Sequence, residues 1–236
     1  MNNKISNISF VVPCYNEMHS IKLTINEIIK SLTILKIENY EIVIIDDASN
    51  DSTRNIILEE KKINDKLKLI INKINLGLGG SVKKGFSEAK FENIMYLPGD
   101  NCHPSEEIIK LLKLENNYDL ILSYYYNINV RPFLRNLFTN IYTPFLNFIF
   151  NLKLPYYNGI CIYKKSILEN IEFKSSSFTW QIELLVQIFK KNNPNVVFVP
   201  TLLKERINDS SKAFRLKNSI LVIYSIIKLF FWNLKN

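Results

Sequence analysis

ISFVVPCYNEMHSIKLTINEIIKSLTILKIENYEIVIIDD, residues 8–47, is the stretch on which the fold turns. Its first five residues form a β-branched apolar run closed by Pro13, the pattern of a strand buried on both faces of a parallel sheet. Over 18–37 the side chains Ile21, Ile25, Ile28, Ile29, Leu32 and Leu35 recur at helical spacing. EIVIIDD (41–47) is then a second buried strand, and it ends in two carboxylates. Strand, helix and strand in that order make one βαβ unit.

The pattern continues outward from this unit. A helix is expected from Ser52, with Ser49 and Asp51 as capping choices. LKLIINK (67–73) reads as a third strand, and the turn NLGLGG (75–80) opens a helix that runs through Ala89. NIMYLPGD (93–100) reads as a fourth strand ending at Asp100. Such alternation predicts a doubly wound α/β sheet, in which ligands bind at the carboxyl ends of the strands. Three of those ends, Pro13 to Glu17, Asp46 to Asp47, and Asp100, bring acidic groups to one edge. That edge is the expected site.

After residue 120 the pattern changes. Residues 133–152 place Leu134, Leu137, Phe138, Ile141, Phe145, Phe148, Ile149 and Leu152 at helical spacing, with Pro144 expected to kink the run. Residues 213–234 are almost continuously apolar but interrupted by Lys228, and a membrane span needs about 20 apolar residues. Two readings stand for this segment. It is an interfacial helix with Arg215 and Lys217 directed at lipid phosphate, or it packs on the protein's own core or a second subunit. The expected division is a catalytic domain over 1–212, with a nucleotide-binding half at 8–104 and an acceptor half at 105–212, followed by a membrane-interface helix over 213–236.

At 236 residues, one domain with a small extension is favoured over two full domains. Apolar residues at 47% and charged residues at 22% exclude a disordered, collagen-like or coiled-coil chain. The first hundred residues balance 13 Lys and Arg against 13 Asp and Glu, whereas the remainder holds 17 against 9, so the whole excess charge is C-terminal. This favours phosphorylated small molecules or an anionic membrane over nucleic acid, for which no motif is present. Cys14, Cys102 and Cys161 lie too far apart for a zinc or disulfide framework, which points to a reducing compartment. The N-terminus passes into a strand before any signal-peptide core develops, so a cytosolic start is expected.

VVPCYNE (11–17), IIDDASNDST (44–53), NLGLGGSVKKGF (75–86), LPGDNCHPSE (97–106), WQIELL (180–185) and VPTLLKERINDSSK (199–212) together resemble the inverting family-two glycosyltransferases. The similar branch is the dolichol-phosphate mannose synthase type, and the resemblance runs from about residue 8 to about residue 220. It implies a GT-A-type nucleotide-sugar-binding fold with a Rossmann-like, mostly parallel sheet and C-terminal interfacial helices. Pro13, Tyr15, Glu17 and Asp47 supply the flat contact and acceptors that a nucleoside needs. Asp46 is either a further ligand contact or a turn cap. Gly77, Gly79 and Gly80 read as a plain turn and helix start in preference to a phosphate cradle.

The resemblance also implies Mg²⁺ or Mn²⁺ held by an Asp-x-Asp pair after the fourth strand. Here Pro98 stands at the first Asp, Asp100 at the second, and Cys102 where Gln is usual. Asp100 is thus the one expected metal ligand, and His103 reads as a turn residue before Pro104. Glu183 lies on the helix WQIELLVQIF, whose apolar face is Ile182, Leu185, Val186 and Phe189; read alone, its carboxylate is solvated. The resemblance makes it a candidate for positioning the acceptor or the sugar. Arg131, Arg206, Ser211 and Lys212 are the expected acceptor-phosphate contacts, and Arg206 joins Asp100 and Glu183 as the expected catalytic set.

The expected reaction moves a hexose, mannose or glucose, from a GDP- or UDP-sugar to a polyprenyl or dolichyl phosphate. The enzyme is expected in the cytoplasm, peripheral to an anionic membrane face. Two alternatives stay open. One is transfer to a glycan or lipid-linked saccharide in cell-envelope polysaccharide synthesis, with Glu183 as base. The other is a degenerate, non-catalytic scaffold, suggested by Pro98.

Overall fold

β1 (Asn7–Cys14) is buried from Ile8 onward, and its side chains alternate between two cores. Val11 meets Val43, Ile45, Val82 and Trp180 on one side of the sheet, while Phe10 and Val12 meet Ile21, Ile25, Ile42 and Ile44 on the other. The period-two geometry of a strand requires this when both faces are covered. The computed structural model describes residues 4–114, 116–127, 133–169, 171–177, 179–205 and 229–230.

The elements follow in the order α1 (Ile21–Leu35), β2 (Asn39–Asp46), α2 (Thr53–Ile63), β3 (Leu67–Ile71), α3 (Gly77–Glu88), β4 (Asn93–Tyr96) and α4 (Ser105–Leu112). The second half adds β5 (Leu120–Tyr125), α5 (Phe133–Phe150), β6 (Cys161–Lys164), α6 (Lys165–Leu168), α7 (Trp180–Lys191) and β7 (Val196–Thr201). The seven strands form one sheet in the order β3-β2-β1-β4-β6-β5-β7. Only β6 runs antiparallel to its neighbours, so the carboxyl ends of the other six strands share one edge, and β6 starts from that edge. Residues of α1, α2 and α4 fill one core, and residues of α3, α5 and α7 fill the other.

The boundaries differ from the sequence expectation for local reasons. The fourth strand ends at Tyr96, not Asp100. Leu97 and Gly99 still donate to the Val11 and Pro13 carbonyls, but Pro98 has no amide and Asn101 turns the chain at a φ of 55°. The first helix starts at Ile21 because Glu17 to Ser20 form a turn, and it stops where Lys36 adopts the left-handed conformation. At α2 the capping choice falls to Asp51, whose carboxylate accepts both the amide and the hydroxyl of Thr53. α5 contains Pro144 within its length.

Among the described residues no helix is long and apolar enough to cross a membrane. Of the expected 213–236 helix, Leu229 and Phe230 are described; they are helical, and Leu229 is buried in the core that holds Leu146 and Phe150. Arg215, Lys217 and Lys228 lie outside the described residues.

Candidate functional site

The carboxyl ends of β1 and β2 are laced together before any ligand is considered. The Asn16 amide donates to Ser49 Oγ at 3.0 Å, the Asn50 amide to Asn16 Oδ1 at 2.8 Å, and the Glu17 amide to Thr53 Oγ1 at 2.8 Å. Pro13 is buried beside Ile45, whereas Tyr15 and Glu17 sit half-buried at the lip. Glu17 Oε2 accepts the Ser20 hydroxyl at 2.7 Å.

Asp46 and Asp47 turn inward. Asp46 is fully buried; its Oδ1 accepts the Ser49 amide at 3.0 Å and its Oδ2 pairs with Arg54 Nε at 2.8 Å. Asp47 Oδ1 accepts Asn72 Nδ2 and the Leu76 amide, both at 2.8 Å, and its Oδ2 accepts the Gly77 amide at 2.9 Å. It therefore caps the N-terminus of α3, where amide donors and the helix dipole favour a negative charge. The glycine turn spends its amides the same way, since Gly79 donates to the Ser176 carbonyl at 3.0 Å.

Negative charge dominates this corner. Burial pushes the Cys14 thiol well above its usual range, and Asp46, Glu17, Asp51 and Asp47 push it further in the same direction. An anionic donor arriving here needs compensating positive charge.

Asp100 lies half-buried just beyond β4. Its Oδ1 accepts the Cys102 amide at 3.2 Å, and its Oδ2 has no hydrogen-bond partner among the described residues. The turn is anchored to α1 through the Asn101 amide, which donates to Thr24 Oγ1 at 3.0 Å. The segment after β7 crosses it, with the Lys204 amide donating to the Cys102 carbonyl at 2.9 Å. Behind it stands an aromatic wall. Burial raises the Tyr96 phenol above its usual range and the Asp100 charge adds to the effect. His103, expected as a simple turn residue, is buried, with its ring 5.8 Å from that of Tyr125; Tyr125 in turn meets Tyr156 edge-on at 5.3 Å.

The residues at this edge fit a divalent cation only in a sparse way. Pro98 offers no side-chain donor, Asp46 and Asp47 are committed to protein partners, and no cluster of three acidic, His or Cys groups is placed to hold a metal among the described residues. Of the expected ligand residues described, Asp100 remains. That fits an ion held mainly by substrate phosphates and water, as Mg²⁺ commonly is, and does not fit a protein-enclosed site.

Across the edge, the first turn of α7 faces two loops. Glu183 is not solvated as the helical pattern alone suggests: Oε1 accepts the Lys174 amide and Oε2 the Ser175 amide, each at 2.9 Å. Gln181 Nε2 lies within 2.8 Å of the Gly159 carbonyl, 3.0 Å of Cys161 Sγ and 3.1 Å of the Tyr163 hydroxyl, so it ties α7 to the loop that carries Tyr156. Sequence reasoning missed Gln181, Asn72 and Arg54. The first two carry a readable signal, a polar residue inside an otherwise apolar run; Arg54 carries none. Arg131, Arg206, Ser211 and Lys212 lie outside the described residues.

The comparisons with known proteins agree with this layout. The undecaprenyl-phosphate 4-deoxy-4-formamido-L-arabinose transferase of Proteus mirabilis is 33% identical over 121 residues, 50% of this chain and 36% of that protein. The dolichol-phosphate mannosyltransferase of Pyrococcus furiosus is 28% identical over 216 residues, 87% of this chain and 58% of that protein. The chain thus spans less than two thirds of the length of these relatives. Glucosyl-3-phosphoglycerate synthase from Mycobacterium tuberculosis, crystallised with Mn²⁺, uridine diphosphate and phosphoglyceric acid, superposes with a TM-score of 0.65 at 18% identity, over 96% of this chain and 79% of that one. At that identity the likeness is one of fold, and the GT-A architecture is shared. The Glycosyl transferase family 2 profile matches residues 9–172, from the first strand to the segment before α7, and on that match the chain belongs to Glycosyl transferase family 2.

Proposed function

We propose that this chain is an inverting glycosyltransferase that moves a hexose, mannose or glucose, from a nucleoside-diphosphate sugar to a polyprenyl phosphate at the cytosolic face of a membrane. The observation that carries the reading is Asp100. It is a half-buried carboxylate with one oxygen uncommitted among the described residues, at the strand edge where Asp46 and Asp47 are already engaged. The names of two relatives, a transferase to undecaprenyl phosphate and a dolichol-phosphate mannosyltransferase, support the acceptor class.

In this reading Pro13, Tyr15 and Glu17 receive the nucleoside, over a floor held rigid by Asp46 and Asp47. Arg131, Arg206, Ser211 and Lys212 receive the acceptor phosphate. A phosphate oxygen of the acceptor attacks the anomeric carbon, a new carbon–oxygen bond forms, the bond to the donor diphosphate breaks, and the configuration inverts. No proton has to be removed from the nucleophile, because a lipid phosphate is already anionic at neutral pH. Asp100 is the residue that would hold a Mg²⁺ or Mn²⁺ ion, which when bound would supply positive charge to the leaving diphosphate in an otherwise acidic corner. The exposed α5 side chains Ile141, Phe145 and Phe148 give the chain an apolar face for peripheral attachment.

The test is transfer of radiolabelled sugar from a panel of GDP- and UDP-sugars to a short polyprenyl phosphate, with Mg²⁺, Mn²⁺ and chelator arms. A chelator-sensitive lipid product is expected, lowered at least about a hundredfold by Asp100→Ala with folding retained. Transfer to a saccharide in place of the lipid overturns the acceptor, and nucleotide-sugar binding without any transfer returns the scaffold reading.

A further inference from the structure

The glycine turn, the loop before α7 and Glu183 form one continuous joint. Asp47, at the end of β2, accepts the Leu76 and Gly77 amides at the start of α3. The Gly79 amide donates to the Ser176 carbonyl at 3.0 Å, and Glu183 accepts the amides of Lys174 and Ser175 at 2.9 Å each. The contact between α3 and the loop is backbone against backbone. A Cβ on Gly77 would lie 2.4 Å from the Ser176 oxygen, and one on Gly79 would lie 2.0 Å from the Ser175 oxygen and 2.8 Å from Trp180 Cβ. No residue but glycine fits either place without moving the loop.

The loop is itself stiffened. The hydroxyls of Ser175, Ser177 and Thr179 form a closed triangle with sides of 3.0, 2.8 and 2.8 Å. It then leads into Trp180, whose ring meets Tyr96 edge-on at 4.8 Å, and Tyr96 is the β4 terminus next to the Asp100 turn. One segment thus touches the start of α3, which Asp47 caps, and the end of β4.

We propose that Glu183 is a positioning residue, not a base: by holding the Lys174–Ser176 backbone against the glycine edge of α3, it sets the acceptor half in register with the donor half. The assignment rests on the transferase reading for its kinetic consequence and on geometry alone for its structural one. A carboxylate with both oxygens already accepting backbone amides is poorly placed to take a substrate proton. Replacing it by the neutral amide of Gln turns one acceptor into a donor that faces an N–H group, which opens the clasp.

The test compares the intact chain with Glu183→Gln and Glu183→Asp by amide hydrogen exchange, and by rate against pH in the sugar-transfer assay. Exchange in Glu183→Gln is expected to quicken by about tenfold or more both at 174–176 and, across the joint, at 76–79, with Glu183→Asp in between. In the kinetics, donor or acceptor KM rises more than kcat falls, and the shape of the pH profile is retained. Unchanged exchange at 76–79 overturns the joint. Loss of an acidic limb from the pH profile, with kcat down and KM unchanged, makes Glu183 the base instead. If Glu183→Gln does not fold, the milder Glu183→Asp carries both readouts. If the chain transfers no sugar at all, the exchange comparison still decides the joint, so failure of the function and failure of this inference are told apart.

Discussion

Ala48 sits between Asp47 and Ser49 with a φ of 60°, a left-handed backbone that a Cβ makes unfavourable. Asn16 and Asn101, with φ of 55° each, do the same at the ends of β1 and β4, so the three turns that surround the donor side all hold a non-glycine residue in this region. Strain of this kind persists where surrounding bonds over-determine the backbone, and it gathers at functional sites. Ala48→Gly relieves it, and set against the entropy glycine costs the unfolded chain, stability should rise by about 0.5–1 kcal/mol. A higher urea midpoint with an unchanged slope is the expected observation. The Asp46–Arg54 pair makes the opposite case. Asp46 is fully buried while Arg54 is 38% exposed, so removing the guanidinium strands a carboxylate in the core. Arg54→Met is expected to cost about 3 kcal/mol, and Asp46→Asn in that background should restore part of the loss, read from urea midpoints of both variants. The sequence shows that Asp46 and Asp47 end a strand. It does not show that they face inward, because that depends on Arg54 at the start of α2 and on Asn72 and Leu76 beyond β3, partners that only the folded chain brings near.

Elements that repeat a period over many residues are the ones the sequence displays. The first four strands and α1 to α3 are legible because apolar runs alternate with helical spacing, although the fourth strand stops short of its expected end. β5, β6 and β7 are not, since runs of six, four and six residues lie among irregular segments. The antiparallel placement of β6 is likewise invisible, because strand direction is fixed by what the connections cross. Contacts between distant elements share this opacity, and Glu27 is the plainest instance. It sits on α1, accepts the Ser105 amide at the start of α4 at 2.8 Å, and pairs with Lys204 beyond β7. Burial pushes its carboxyl up, but the hydrogen bonds from Lys204 and Ser105 outweigh that and hold it below its usual 4.5. A carboxyl that is more acidic when folded contributes stability above the unfolded value, and that contribution fades as pH falls through the lowered one. The chain should therefore lose stability below about pH 4.5, and part of that loss should vanish in Glu27→Gln, which starts lower at pH 7. Urea midpoints at pH 7 and pH 3 for both chains decide it; equal drops in the two would remove Glu27 from the account.

On the scale of the whole molecule, the two sheet faces and the charge distribution converge on the question of what the second half meets. All eight excess positive charges fall after residue 100. On α5, Ile141, Phe145 and Phe148 are 63%, 51% and 87% exposed, and their spacing of four and three residues puts them on one face. Beside them a cleft of about 770 Å³ runs between α5 and the following loop, lined by Pro144, Leu152, Leu154 and Phe198 with Lys153 among them. Its wall is held in place by Asn147, whose Nδ2 donates to the Leu154 carbonyl and whose Oδ1 accepts the Leu154 amide and the Tyr157 hydroxyl. An exposed apolar stripe with Lys153 close by, on a chain whose second half carries the excess positive charge, is the combination that binds an anionic lipid surface, since apolar burial supplies the affinity and charge supplies the preference. The chain is accordingly expected to sediment with vesicles containing anionic lipid, less so with neutral vesicles, and less again at high salt. Partial burial of each ring contributes about 1–2 kcal/mol, so Phe145→Ser with Phe148→Ser should weaken vesicle binding by at least about tenfold. Neither side chain is among the residues assigned to the donor, so donor binding should be unaffected. Equal sedimentation of parent and double variant would separate the stripe from the membrane, and concentration-dependent self-association of the parent alone would assign the same face to a second copy of the chain.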